Sequence, residues 1–169
     1  STADAGYLLF NDARWSHSPV DASFQWSLAG NGMKITFNEP QRKYVWYGKG
    51  SFSHVPENGL QLKEDTYYRF DIDAVFAGDS YVSFWLIMYN DASRIGHRVQ
   101  HLEKGKPVYF RTLKGFTQCR ILMQFAGRGT VDFGSLSYTT CDLHAVLDLD
   151  NSMEDTYYLQ LRRLIDTRF

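Results

Sequence analysis

The stretch Tyr81-Val82-Ser83-Phe84-Trp85-Leu86-Ile87-Met88-Tyr89-Asn90 is apolar almost throughout, yet it sorts into two rows once a strand's pleat is imposed. Successive strand side chains point to opposite faces, so Val82, Phe84, Leu86 and Met88 form one row. Tyr81, Ser83, Trp85, Ile87 and Tyr89 form the other. One row must enter a core. The second then sets three aromatic side chains on the opposite face of the sheet.

Working outward, the same period of two dominates from the N-terminus to about residue 150. Gly6–Phe10 reads as a short strand, and Ser23–Leu28 and Met33–Phe37 as a hairpin about Gly30-Asn31-Gly32. Lys43–Gly48 sets Tyr44 and Trp46 opposite Val45 and Tyr47. In Tyr67–Phe76 the residues Tyr68, Phe70, Ile72, Ala74 and Phe76 face inward, and Tyr67, Arg69, Asp71 and Asp73 outward. Ala77-Gly78-Asp79 separates this strand from the aromatic one. His97–Leu102 and Val108–Leu113 follow, and a hairpin is expected to pair Cys119–Phe125 with Thr130–Thr140 around residues 126–129. Its parity switches near Gly134, which predicts a bulge.

About ten short strands separated by turn residues indicate an all-β fold, an antiparallel β-sandwich or jelly roll, with an up-and-down barrel as the competitor. The tail differs in kind. Ser152-Met153-Glu154-Asp155 resembles a capping box, and Tyr158, Leu161 and Ile165 fall at helical spacing. An amphipathic helix is therefore expected over 153–167, so that 1–150 is the sandwich and 151–169 a C-terminal helix or linker to a following domain. It either packs on the sandwich, leads into that domain or mediates homo-oligomerisation.

The chain's 169 residues suit a single domain that buries a core without metal or disulfide support. A hydrophobic content of 44% and a net charge of −1 argue against disorder and against a nucleic-acid partner. No apolar run is long enough to span a bilayer. The start at Ser1-Thr2-Ala3, with no signal-peptide pattern, suggests a piece of a larger protein. Cys119 and Cys141 are expected as free thiols, which favours a reducing, cytoplasmic setting.

No nucleophile elbow, phosphate loop or dinucleotide fingerprint occurs, so no catalytic residue is assigned and no enzyme is expected. Gly48-Lys49-Gly50-Ser51 lacks the spacing and helix of a phosphate loop. The five histidines are scattered, although His97 and His101 share a strand face. The acids Asp142, Asp148, Asp150, Glu154 and Asp155 sit around the expected helix start, where negative charge is favoured. No cofactor is assigned. Asn11, Asp12 and Asp132 are the oxygen donors that a structural calcium would use.

Three segments resemble the jelly-roll carbohydrate-binding modules attached to bacterial polysaccharide-processing enzymes. They are Leu60–Phe70, Tyr81–Ile95 with its Asp91-Ala92-Ser93 turn, and Arg120–Val131, which together span residues 60–138, about half of the chain. The family's closing strand often has two adjacent acids where this chain has Gly134-Ser135, a departure that weakens the implied calcium site. The resemblance implies a non-catalytic module that positions a parent enzyme or neighbouring domain on glycan, including settings beside glycosyltransferases. The residues themselves support the same chemistry. Sugars present apolar C–H faces rimmed by hydroxyls, and a binding sheet needs flat rings with outward polar groups. Trp85 and Tyr89, with Tyr81 further along, are the expected stacking residues. Arg69, Asp71, Arg120 and Gln124 are outward by alternation and are expected to hydrogen-bond, with Trp46 or Tyr47 as a further contact. Two alternatives stand beside this: burial of Trp85 and Ile87 beneath a loop or the C-terminal helix, and a sandwich that serves as a protein–protein or oligomerisation module without a sugar site.

Overall fold

The structure is a computed structural model that describes residues 4–91 and 93–142, apart from the side chains at 39–41. The helix expected over 153–167, and with it the 151–169 linker or oligomerisation segment, lies outside the described residues. Eight strands follow in chain order: β1 (Ala5–Tyr7), β2 (Trp15–His17), β3 (Phe24–Ala29), β4 (Gly32–Tyr47), β5 (Tyr67–Tyr89), β6 (Arg94–His101), β7 (Val108–Arg111) and β8 (Gln118–Cys141). All pairings are antiparallel, and one hydrogen-bonded sheet runs in the order β2-β4-β8-β5-β6. β1 joins β8, β3 joins β4, and β7 joins β5.

The strand count corrects the sequence expectation. β4, β5 and β8 are each one long strand where sequence reasoning divides them in two. No hairpin forms at 126–129. β5 and β8 pair with each other along their whole lengths, from Tyr67 opposite Cys141 to Tyr89 opposite Gln118. Pairing that continues across the glycines turns an expected reversal into a bend. Gly78 (φ +78°) and Gly127 (φ +89°) take left-handed backbone there, and a Cβ at Gly127 would stand 2.5 Å from the Asp79 carbonyl oxygen. The bulge expected near Gly134 is present: Asp73 faces Ser135 and Ala74 faces Phe133, leaving Gly134 unpaired.

Because the long strands bend, their halves face each other and build two layers around one core. Phe70 in the first half of β5 meets Phe84 in its second half at 5.3 Å between ring centroids, and Phe84 stacks on Phe110 of β7 at 6.0 Å. The row Val82, Phe84, Leu86 and Met88 is at most 2% exposed and fills this core with Tyr68, Phe70, Ile121, Met123 and Phe125. Each such side chain contributes roughly 1.5–3 kcal/mol by leaving water.

Trp15, in the short β2 that three residues of alternation cannot announce, is a core anchor whose Nε1 donates to the Leu9 carbonyl at 2.9 Å. Trp26 stacks on His17 at 4.3 Å. Cys119 is buried and Cys141 partly exposed; both are free, at opposite ends of β8 and not across a hairpin. Both Asp12 carboxylate oxygens accept from Arg14, at 3.1 and 2.8 Å, so that acid is already neutralised within the chain. Among the described residues no helix is long and apolar enough to cross a membrane.

Candidate functional site

The second layer joins β2, the end of β4, the start of β8, the end of β5 and β6. Cross-strand register sets its outward side chains in rows: Trp46–Leu122–Trp85–Val99, Tyr44–Gln124–Ser83–His101, and Arg120–Ile87–His97. The loop after β4 divides this face. Phe52 lies on Trp46 edge-on at 5.1 Å and near Tyr44 at 6.2 Å. With Val55 it seals Ile87, Tyr89 and Leu122 into a small second apolar cluster.

Arg120 holds that loop down. It is fully buried, and its guanidinium donates to the carbonyls of Gly48 (2.7 Å), Lys49 (3.0 Å) and Ser51 (3.1 Å) and to Tyr89 Oη (2.6 Å). Tyr89 Oη in turn donates to the Phe52 carbonyl at 2.8 Å. Two sequence expectations are corrected here. Tyr89 and Arg120 point outward from the main core as alternation requires, but both are 0% exposed beneath the loop and cannot touch a ligand. Gly48-Lys49-Gly50-Ser51 thus supplies carbonyls to a cation.

Beside the covered end the face stays open as a cleft of about 360 Å³. Tyr44, Phe52 and Trp85 provide its rings, and the buried Ile87, Leu122 and Gln124 form its floor. The exposed Arg42, Arg94 and His97 stand at its rim. Trp85 is half-buried; its Nε1 donates to Gln124 Oε1 at 3.1 Å, and its ring packs against His97 at 4.8 Å. An indole nitrogen only donates, so Gln124 must turn its oxygen to Trp85 and keeps its amide N–H groups for other partners. Arg94 Nη2 meets His97 Nδ1 at 2.8 Å. Burial, and then the charges of Arg94 and Arg98, push the His97 pKa below its usual value, which suits this ring as a neutral acceptor.

The remaining expected site residues lie elsewhere. Tyr47 is 1% exposed in the core, because its row of β4 faces inward; the outward member is Trp46. Trp46 is half-buried under Phe52 and does not line the cleft. Tyr81 is 47% exposed on the same face, outside the cleft, with its hydroxyl bonded to His101 Nε2. Arg69 and Asp71 form a surface ion pair at 3.0 Å. They sit in the first half of β5, whose outward side is the opposite surface of the molecule from Trp85, since Phe70 and Phe84 meet between the two halves. A depression of about 400 Å³ near Asp71, Asp73, Lys104 and Lys106 has no aromatic ring in its lining.

Sequence reasoning missed Tyr44, Phe52, Arg42 and Arg94 as lining residues. Tyr44 was accessible to it, since it shares parity with Trp46. Phe52 carries no periodic signal, being in a loop.

No family model matches the sequence, and no curated protein matches it. Solved structures share its fold. A glycosylation-associated protein (Gap123) complex from Streptococcus agalactiae superposes with a TM-score of 0.58 at 12% identity, over 79% of this chain and 25% of that one. The CBM22-1–GH10 modules of Clostridium thermocellum xylanase 10B, complexed with xylohexaose, give 0.53 at 12% identity over 81% and 28%. Accessory secretory protein 1, 2 and 3 of Streptococcus pneumoniae gives 0.51 at 11% identity over 72% and 87%. The likeness to carbohydrate-binding modules holds at the level of the fold. The chain spans about a quarter of the length of the first two structures and most of the third.

Proposed function

We propose that this chain is a non-catalytic, carbohydrate-binding accessory domain of jelly-roll type within a larger bacterial glycan-processing protein. It holds sugar in the cleft beside Trp85. The observation that carries this reading is the half-buried Trp85 ring, fixed between Gln124 and His97 in a cleft with aromatic walls and a largely apolar floor. A rigid indole suits the C–H face of a pyranose, and the Gln124 amide supplies directional donors for its hydroxyls. Among the described residues the lining contains no carboxylate, whereas glycoside hydrolysis ordinarily uses two, which supports binding over turnover. The free thiols fit a reducing, cytoplasmic setting.

Affinity electrophoresis through gels containing polysaccharides tests the reading. Retardation by at least one polymer, lost in Trp85→Ala at unchanged thermal midpoint, is expected. Migration indifferent to every polymer, or unaltered by the substitution, would overturn it.

A protein–protein module is the second reading, favoured by one observation: Ile95 and Val99 are 37% and 45% exposed on the edge strand β6. Light scattering that shows a dimer broken by Val99→Lys would support it.

A further inference from the structure

We infer that the ligand of this cleft is an acidic polysaccharide, one that carries anionic groups on its sugars; the inference rests on the cleft being a sugar site. The chain carries 19 acidic residues against 18 basic ones, yet among the described residues the cleft lining holds two arginines and no acid. Three exposed or half-exposed arginines elsewhere pair with acids, Arg14 with Asp12 at 2.8 Å, Arg69 with Asp71 at 3.0 Å and Arg111 with Asp65 at 2.8 Å, while Arg98 and Arg120 donate to backbone carbonyls. Among the described residues no carboxylate pairs with Arg42 or Arg94.

Arg94 is positioned by His97 Nδ1, an acceptor that orients the guanidinium without cancelling its charge. That same His97 packs on Trp85, so the cation and the stacking ring belong to one assembly. Arg42 enters from β4 and Arg94 from β6, with β8 and β5 between them. Three interstrand spacings, roughly 14 Å, separate them across the strands. They are also staggered along the strands, Arg42 beside the Lys43–Phe125–Val82 row and Arg94 beside Tyr89, so they stand at diagonal corners with Trp85 between. A polysaccharide running diagonally over Trp85 therefore meets a guanidinium toward either end. The planar fork of arginine matches carboxylate and phosphate-like groups in two parallel hydrogen bonds.

The experiment is affinity electrophoresis at low salt with two matched pairs of polymers: polygalacturonate against its methyl ester, and dextran sulfate against dextran. Retardation by the charged member alone is expected in at least one pair, and the pair that responds tells carboxylate from sulfate. Arg42→Gln and Arg94→Gln should each weaken it by about three- to tenfold, and Trp85→Ala should remove it. Equal retardation by charged and neutral members would overturn the inference and leave the sugar site standing. No retardation by any polymer would overturn both. Retardation by the charged polymer that survives Trp85→Ala would mean ion exchange at the surface, and equal competition by single-stranded RNA would mean a general anion site; either overturns the inference.

Discussion

Replacing Arg120 with methionine should release the loop that covers half of the aromatic face. The guanidinium is fully buried and makes four hydrogen bonds of 3.1 Å or less, three to loop carbonyls and one to Tyr89 Oη. It also lies 5.0 Å from the Tyr89 ring centroid and 5.5 Å from that of Phe52. No carboxylate shares the site among the described residues, so its charge is balanced by carbonyl dipoles and ring faces alone. Hydrogen bonds to a charged group are worth about 1.5–3 kcal/mol each, which gives roughly 6–12 kcal/mol before the cost of burying the cation. That cost is several kcal/mol, and breaking such a buried arrangement typically destabilises by about 3–5 kcal/mol. Lys49 and Ser51 are exposed, so water can reach their freed carbonyls, and the low end applies: about 3 kcal/mol. For a domain of this size that lowers the thermal midpoint by about 6–12 °C. Arg120→Lys should fall between, because one ammonium cannot span carbonyls arranged around a planar fork. Thermal unfolding gives the magnitude, and hydrogen exchange of the amides at 50–55 shows where protection is lost. A midpoint within about 2 °C of the parent, with loop exchange unchanged, would refute the assignment of Arg120 as the loop's anchor.

The buried tyrosines predict alkaline instability. Burial pushes Tyr47 up to about 12 and raises Tyr68, Tyr89 and Tyr138 as well. A raised folded-state pKa gives stability that is complete below the unfolded value near 10 and lost as pH climbs through the folded one. For Tyr47, at 1% exposure, this is on the order of 3 kcal/mol. Phenolate absorbance should therefore rise together with loss of near-ultraviolet circular dichroism, and full ionisation in a still-folded protein would contradict it. Gly127→Ala should cost at least about 2 kcal/mol, since φ is +89° and the new Cβ would meet the Asp79 carbonyl; denaturant unfolding measures it, and a neutral result would show the bend to be plastic. Cys119 should resist thiol reagents until unfolding, being buried with its thiol pushed well up, while Cys141, pushed up to about 11, should react slowly in the native state. Mass spectrometry after timed labelling checks this, and fast native labelling of Cys119 would contradict its burial.

What could be read from the chain alone was local. The parity of Val82, Phe84, Leu86 and Met88 follows from a pleat that each residue shares with its neighbours, and the core contains that row. The bulge at Gly134 was visible for the same reason, as a break in parity. Gly78 and Gly127 were misread because a bend and a turn require the same left-handed backbone; what separates them is whether a partner strand continues beyond the glycine. Here the partner of each is the other long strand, about fifty residues away in sequence. The site was legible to the same limited depth. Trp85 and Gln124 could be placed on one face, but the cover over Tyr89 depends on Arg120 reaching carbonyls 69 to 72 residues earlier in the chain.

That long-range contact decides how one uniform aromatic row becomes two different surfaces. Tyr81, Trp85 and Tyr89 share a strand face and differ little in composition, yet they are exposed, half-buried and sealed in that order. The gradient is set by the loop and not by the strand, because only the Tyr89 end meets the carbonyls that Arg120 gathers. Phe52 is then both the lid of the covered cluster and a wall of the open cleft. Stability of the loop and shape of the site are thus coupled through a single guanidinium. Sequence change in the loop that left every cleft residue in place would still alter what the cleft can hold.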